Sequence, residues 1–145
     1  MDSIKDLAFG EMLYNHLWFK KETVQFWNSN MNVKIVAQSY NKKPITDQQR
    51  ENYKRFKDDL DNISKVAEKM ILKYFNSNCQ YIKDNWKEYK TLRGFSDFEK
   101  VITLREVLFQ TDGTTILLFD DAWDDSGIGI QIYPEYKIGM QNEFL

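Results

Sequence analysis

The stretch TDQQRENYKRFKDDLDNISKVAEKMILKYFN, residues 46–76, reads as one long amphipathic helix, and the rest of the chain can be placed around it. Thr46 followed by Gln49 fits a capping box, and Pro44 lies upstream, where it cannot interrupt the helix. Apolar side chains then recur at spacings of three or four residues, at Phe56, Leu60, Ile63, Ala67, Met70 and Tyr74. This stripe predicts a helix that buries one face against a sheet of the same chain, although a partner helix could also cover it.

The residues before the helix have the composition and alternation of β-strands. In MNVKIVAQSY, residues 31–40, Val33, Ile35 and Ala37 alternate with polar neighbours, which is the period of a half-buried strand. The segment VQFW, residues 24–27, is also rich in β-branched and aromatic residues. We predict an antiparallel meander over residues 7–40, with turns at 20–22 and 28–30.

The residues after 100 read as a second β unit. Two apolar runs, 101–110 and 114–123, flank Asp112-Gly113, which is a strong signal for a hairpin, and isoleucines alternate from Ile128 to Ile132. The short connections between successive strands predict antiparallel pairing. The predicted fold is therefore a single α+β domain over residues 1–145, in which an antiparallel sheet (an N-terminal β-meander and C-terminal β-hairpins) packs against one long central helix.

Composition excludes several classes of protein. A single cysteine, Cys79, rules out an internal disulfide framework and fits a reducing compartment. No run approaches the ~20 apolar residues that a membrane span needs, and the N-terminus is acidic where a signal peptide is basic. The abundance of Lys, Asn, Ile, Phe and Tyr is typical of an AT-rich bacterial genome. We therefore expect a cytoplasmic bacterial protein with no membrane association.

No catalytic or cofactor-binding set is visible in the sequence. His16 is the only histidine, no Gly-x-Ser-x-Gly motif occurs, and one cysteine with one histidine does not make a zinc site. Gly127-x-Gly129 does not open a helix, and no Gly-Lys-Ser/Thr occurs, so neither dinucleotide nor P-loop binding is indicated. We predict no catalytic residues, no metal ligands and no cofactor.

Acidic residues concentrate in the last third of the chain. Residues 101–145 hold eight acidic residues against Arg105 and Lys137, a net charge of −6. The segment FDDAWDDSGIGI, residues 119–130, places four aspartates around one tryptophan: Asp120, Asp121, Trp123, Asp124 and Asp125. A surface of this charge repels nucleic-acid phosphates and attracts a basic protein. The same residues could instead form a turn, or hold a divalent cation through their carboxylates.

Three short segments of this region resemble the end of an uncharacterised bacterial domain family. They are Trp123-Asp124, Gly127-Ile128-Gly129 and Gly139-Met140-Gln141-Asn142. Such domains are similar to small proteins encoded near polymorphic toxin genes, some of which are thought to be immunity proteins. The chain departs from the family at Asp125-Ser126, where Glu-His is common, and at Asn142, where Asp is usual. The resemblance implies a protein that binds a toxin, and it carries over no catalytic residue.

Our leading hypothesis is a non-enzymatic protein-binding module, a monomer or homodimer. In the sharper form of this hypothesis the chain is an immunity protein that neutralises a basic toxin. Its partner-binding residues would be Asp120, Asp121, Trp123, Asp124 and Asp125. The alternative is a metal-dependent enzyme or metal-binding domain that uses the same carboxylates for Ca²⁺, Mg²⁺ or Mn²⁺. A third reading is a homodimer in which an exposed sheet edge pairs with its own copy.

Overall fold

A mixed α+β fold is seen in the computed structural model, which describes residues 2–27, 29–78, 84, 102–121 and 127–145. Eight strands form one sheet in chain order. They are β1 (Ser3–Asp6), β2 (Gly10–Tyr14), β3 (Trp18–Phe26), β4 (Ser29–Ala37), β5 (Ile102–Phe109), β6 (Thr115–Asp121), β7 (Ile128–Tyr133) and β8 (Lys137–Met140). The predicted α+β class is confirmed, and the sheet is mostly antiparallel.

The two central strands of the sheet differ from the prediction because they run parallel. β4 and β5 pair from Lys34 with Glu106 to Ala37 with Phe109. Every other neighbouring pair of described strands is antiparallel. The helices lie between β4 and β5 in the chain, and such a crossover lets the chain re-enter the sheet in the same direction.

The predicted single helix is instead two helices, α1 (Asp47–Asp58) and α2 (Leu60–Ser77). Asp59 separates them with φ −107° and ψ 17°, and its backbone N–H donates to the carbonyl of Arg55. The sequence gives little warning of this break, because Asp59 is neither glycine nor proline. The predicted capping box is confirmed, since Thr46 and Gln49 exchange side-chain-to-backbone hydrogen bonds.

The apolar stripe of the helices follows the prediction at first and then shifts by one residue. Phe56, Ile63 and Ala67 are buried as predicted, whereas Met70 and Tyr74 are half-buried. Ile71 and Phe75 take the buried positions instead. From Ile63 onward the buried residues are spaced by four, so the face that meets the sheet turns slowly around α2.

The predicted turn at residues 20–22 is wrong, because these residues lie inside β3. The β3–β4 turn is tight: Phe26 pairs with Ser29, and Trp27 adopts a positive φ of 53°. The predicted turn at 28–30 therefore falls only in part on the observed one, since β4 already begins at Ser29. The Asp112-Gly113 hairpin forms as predicted between β5 and β6, with Gly113 at φ 94°.

Both faces of the central strands are buried. The main core lies on the helix side of the sheet and includes Ile35, Val107, Phe109, Leu117 and Phe119. Four residues of the opposite face are also at most 6% exposed: Val36, Leu108, Ile116 and Leu118. This double burial explains why TILLF reads as a continuous apolar run rather than an alternating one. Of the helices described, neither combines the length and the apolar composition needed to cross a membrane.

Candidate functional site

Asp120 and Asp121 end strand β6, where Asp120 pairs with Thr103 and Asp121 with Ile102. Because neighbouring strand residues point to opposite faces, the two carboxylates cannot share one surface without a local twist. The Asp120 side chain is 63% exposed, whereas Asp121 is half-buried. Trp123, Asp124 and Asp125 lie outside the described residues. Of the five predicted partner-binding residues, Asp120 is therefore the described one that faces solvent.

Arg105 forms an ion pair with Asp120 across the β5–β6 ladder. Its Nε donates to Asp120 Oδ1 at 2.9 Å, and a terminal guanidinium nitrogen donates to Gln141 Oε1 at 2.8 Å. Arg105 stands at a β-bulge, where the β5–β6 register shifts between Leu104 and Glu106. A bulge redirects the side chain of the extra residue. This arrangement brings the basic group into reach of a carboxylate 15 positions later in the chain.

The ion pair neutralises part of the charge of Asp120 without burying it. The Arg105 side chain is 42% exposed and that of Asp120 is 63% exposed. Ion pairs in such exposed positions contribute only ~0–1 kcal/mol to stability, because water and salt screen them. A cation from a partner protein could therefore replace Arg105 at small energetic cost.

The glycine-containing segments at this end of the sheet are explained by close packing. Gly127 has φ +74°, and a Cβ there would overlap the carbonyl oxygen of Phe119 and the side chain of Gln141. Gln141 closes the contact, since its Nε2 donates to the Phe119 carbonyl at 2.9 Å and its backbone N–H donates to the Gly127 carbonyl at 3.2 Å. The Gly-x-Gly and Gly-x-Gln segments therefore have a structural role, because they lie side by side where β7 begins and β8 ends.

A second polar cluster, which the sequence did not predict, lies between β3 and α1. Tyr53 OH donates to Glu22 Oε1 at 2.8 Å, and Lys57 Nζ lies 3.0 Å from the same oxygen. Lys20 Nζ donates to Tyr53 OH at 2.9 Å. The Tyr53 ring stacks on Phe9, with ring centroids 4.4 Å apart. The cluster thus fastens the first helix to the sheet and to the β1–β2 turn.

The pKa values of this cluster favour a structural role over acid–base chemistry. Burial alone would raise the pKa of Glu22, but hydrogen bonds from Lys57 and Tyr53 and the charge of Lys20 hold it below the ordinary value. Burial, together with the adjacent Glu22 carboxylate, raises the pKa of Tyr53 far above its ordinary value. Glu22 therefore stays ionised and Tyr53 stays protonated near neutral pH, so neither is poised to transfer a proton.

A weak signal for this cluster was present in the sequence. Lys20 and Glu22 occupy two inward positions of β3, and the inward positions on either side of them hold the apolar residues Trp18 and Val24. Charged residues at inward strand positions require partners. Those partners, at positions 53 and 57, lie more than thirty residues away.

The described residues also line surface hollows next to the helices. One hollow, of about 480 Å³, lies at the α1–α2 junction and is lined by Lys57, Asp58, Asp59, Leu60, Asp61, Asn62 and Lys65. Another, of about 330 Å³, lies between α2 and β8, with Met70, Tyr74 and Ile138 in its apolar lining. Within the described ranges, no three His, Cys, Asp or Glu side chains are grouped so that they could hold a metal ion. His16 is exposed in the β2–β3 turn, and Cys79 lies outside the described residues.

Comparison with known proteins identifies a family model that matches the chain. A model described as Domain of unknown function (DUF6985) matches residues 8–142, from the β1–β2 turn to the 3₁₀ turn Gln141–Glu143 after β8. No curated protein and no solved structure matches the chain.

Proposed function

The chain belongs to the DUF6985 family, and from that premise we propose that it is a non-enzymatic protein-binding module. In its sharper form the proposal is an immunity protein that neutralises a basic toxin. The binding surface is the acidic end of β6, which we define as Asp120, Asp121, Trp123, Asp124 and Asp125. The observation that carries the proposal is the Asp120 carboxylate, which is 63% exposed and held by an exposed arginine.

The charge of the surrounding residues supports this choice of surface. In the described part of the C-terminal region, six acidic residues stand against Arg105 and Lys137. Two of these acids are engaged elsewhere: Asp112 accepts hydrogen bonds within its own hairpin turn, and Glu135 pairs with Lys137. At the acidic end of β6, the described Asp120 carboxylate is 63% exposed although it pairs with Arg105, and this exposure supports the choice of surface.

The proposed mechanism has an electrostatic step and a packing step. A negatively charged surface speeds the encounter with a basic partner and orients it before contact. A lysine or arginine of the partner then replaces Arg105 at Asp120, an exchange that the exposure of the ion pair makes inexpensive. An aromatic side chain such as Trp123 would supply the buried contact that keeps the complex together.

The test measures binding to toxin proteins encoded beside the gene of this chain, each purified as an inactive variant. Asp120→Lys is expected to slow association by about tenfold at low salt, because charge reversal at an interface acts mainly on the encounter rate. The difference should shrink as salt is raised to about 0.5 M, where the Debye length falls to a few ångströms. Growth protection of cells that express the active toxin should fall in parallel.

Glu51→Lys is the matched control. Glu51 is exposed on α1 and makes no ion pair within the described residues, so the substitution changes net charge equally at another surface. If both variants slow association equally, the effect is one of net charge and the acidic end of β6 is not the binding surface. If no neighbouring toxin binds and none is neutralised, the immunity function is wrong.

A further inference from the structure

The loop that follows β4 holds an unusual backbone conformation. We name residues 39–43 the Tyr40 loop. Asn41 and Lys42 both have positive φ angles, 53° and 58°, which are unfavourable for residues other than glycine. Two consecutive residues of this kind persist only where the surrounding contacts fix the backbone.

Those contacts are hydrogen bonds between side chains and the main chain of the loop. Ser39 Oγ donates to the Lys43 carbonyl at 2.7 Å, and Trp18 Nε1 donates to the same oxygen at 3.1 Å. The backbone N–H of Lys42 donates to Tyr14 OH at 2.9 Å. The main chain of the loop is therefore tied to β2 and β3 while its side chains remain outside.

Tyr40 combines high exposure with a fixed ring. Tyr40 is 65% exposed, yet its hydroxyl accepts a hydrogen bond from Gln38 Nε2 at 3.0 Å. Gln38 is itself held, because its Oε1 accepts from the backbone N–H of Thr111 at 3.3 Å. An exposed aromatic ring that a hydrogen bond already orients loses less conformational entropy on binding, which suits an interface anchor.

Two lysines follow Tyr40 in the same loop. The Lys42 side chain is 45% exposed and pairs with Asp2, and its Nζ lies 5.7 Å from the centre of the Tyr14 ring. Lys43 is exposed, and no ion pair or hydrogen bond of its ammonium group is found within the described residues. The loop thus carries an exposed tyrosine, one lysine that is paired with Asp2, and one lysine, Lys43, whose charge is available to a partner.

We propose that the Tyr40 loop is a second docking surface, which binds an acidic protein segment. Tyr40 would enter a shallow pocket of the partner, and Lys42 and Lys43 would contact carboxylates around it. The surface is separate from the acidic end of β6. Ala37 pairs with Phe109 at one end of β5, whereas Asp120 pairs with Thr103 at the other, ~20 Å away at the usual rise per strand residue.

The observations favour a protein partner over a nucleic acid. Single-stranded nucleic acids are bound by successive aromatic platforms and by cations that follow the phosphates. The Tyr40 loop offers one exposed aromatic ring and two lysines, one of which is already paired with Asp2. The chain as a whole carries a net charge of −2, the opposite of a basic footprint for nucleic acid.

The experiment places the photo-crosslinking amino acid p-benzoylphenylalanine at position 40 of the full chain in cells. Irradiation is expected to give a protein adduct whose crosslinked peptide is rich in Asp and Glu. Lys43→Glu should reduce the yield by about tenfold, because it reverses charge at the rim of the contact. When a lysate of the same cells is irradiated, added poly-L-glutamate should compete for the crosslink, whereas single-stranded DNA of equal charge should not.

Position 136 is the control site, since Tyr136 is also an exposed tyrosine, at 36%. An equal adduct from position 136, an adduct with nucleic acid alone, a yield that Lys43→Glu leaves unchanged, or no adduct at all would each overturn the proposal. The hydrogen bonds that Lys43 makes within the described residues involve its backbone and not its side chain. An unchanged melting temperature is therefore expected for Lys43→Glu. Asp120→Lys should leave the crosslink intact, which separates this surface from the acidic end of β6.

Discussion

Replacing Gln49 with leucine is expected to destabilise the fold by about 1–4 kcal/mol, although the residue lies in the first turn of a helix. Gln49 is fully buried. Its Nε2 donates to the carbonyls of Gln38 and Phe109, each at 2.9 Å, and its Oε1 accepts from the backbone N–H of Thr46 at 2.9 Å. One side chain therefore joins the start of α1 to the ends of both parallel strands.

The magnitude follows from which groups lose their hydrogen bonds. The Phe109 carbonyl keeps a second bond, from the backbone N–H of Gln38 at 2.9 Å, so its loss is small. The Thr46 N–H and the Gln38 carbonyl belong to part-buried residues and lose the bonds that Gln49 supplies, at a cost of ~1–3 kcal/mol for each group left unpaired. Burial of the leucine side chain offsets ~1–2 kcal/mol of this cost.

The assay is urea unfolding at pH 7, followed by far-ultraviolet circular dichroism. Glu51→Leu is the control, because Glu51 is exposed on the same helix and makes no side-chain hydrogen bond or ion pair within the described residues, and a change of less than about 0.5 kcal/mol is expected for it. The midpoint of Gln49→Leu should fall while the slope stays constant. A loss below about 1 kcal/mol, or one equal to that of Glu51→Leu, would refute the role of Gln49 as the link between helix and strands.

Three further predictions concern other contacts. Gly127→Ala should lower the melting temperature more than Gly10→Ala. Both glycines have positive φ, but the new Cβ would overlap neighbouring atoms at Gly127, whereas nothing lies within 4 Å of it at Gly10. Glu22→Gln should destabilise the fold at pH 7. The folded-state pKa of Glu22 is lowered, so the difference in unfolding free energy between the two proteins is largest above the ordinary pKa of the carboxyl group. It disappears as pH falls through the folded-state pKa, and equal stability of both proteins at pH 7 would contradict the prediction. Asp59→Asn should lower the pKa of Tyr133, which burial and the charge of Asp59 raise to about 12, and ¹³C NMR of labelled tyrosine measures the change.

Local patterns in the sequence predicted much of the fold. The alternation of Val33, Ile35 and Ala37 identified β4, because one face of that strand is buried and the other partly exposed. The capping box at Thr46 and the Asp112-Gly113 turn were also predictable, since each depends on residues at most three positions apart.

Features that depend on distant residues could not be predicted. Lys20 and Glu22 looked like turn residues, because the tyrosine and lysine that hold them inside β3 belong to α1. The break at Asp59 has no local marker, and the buried face shifts only after it. At the candidate site, four aspartates around one tryptophan indicated an acidic surface, but the pairing of Asp120 with Arg105 depends on a bulge in another strand.

The central parallel pair has a consequence for how the chain folds. The strands on either side of it, β1–β4 and β5–β8, each follow one another along the chain, so each group can form from hairpins. Joining β4 to β5 brings together residues such as Lys34 and Glu106, which are about 70 positions apart. Closing so long a loop costs conformational entropy before the contacts between β4 and β5 can stabilise it. Folding rates fall as the share of contacts between residues distant in sequence increases. The seam between the two halves is therefore expected to form last and to set the folding rate, and a chain cut between α2 and β5 would have to reassemble through it.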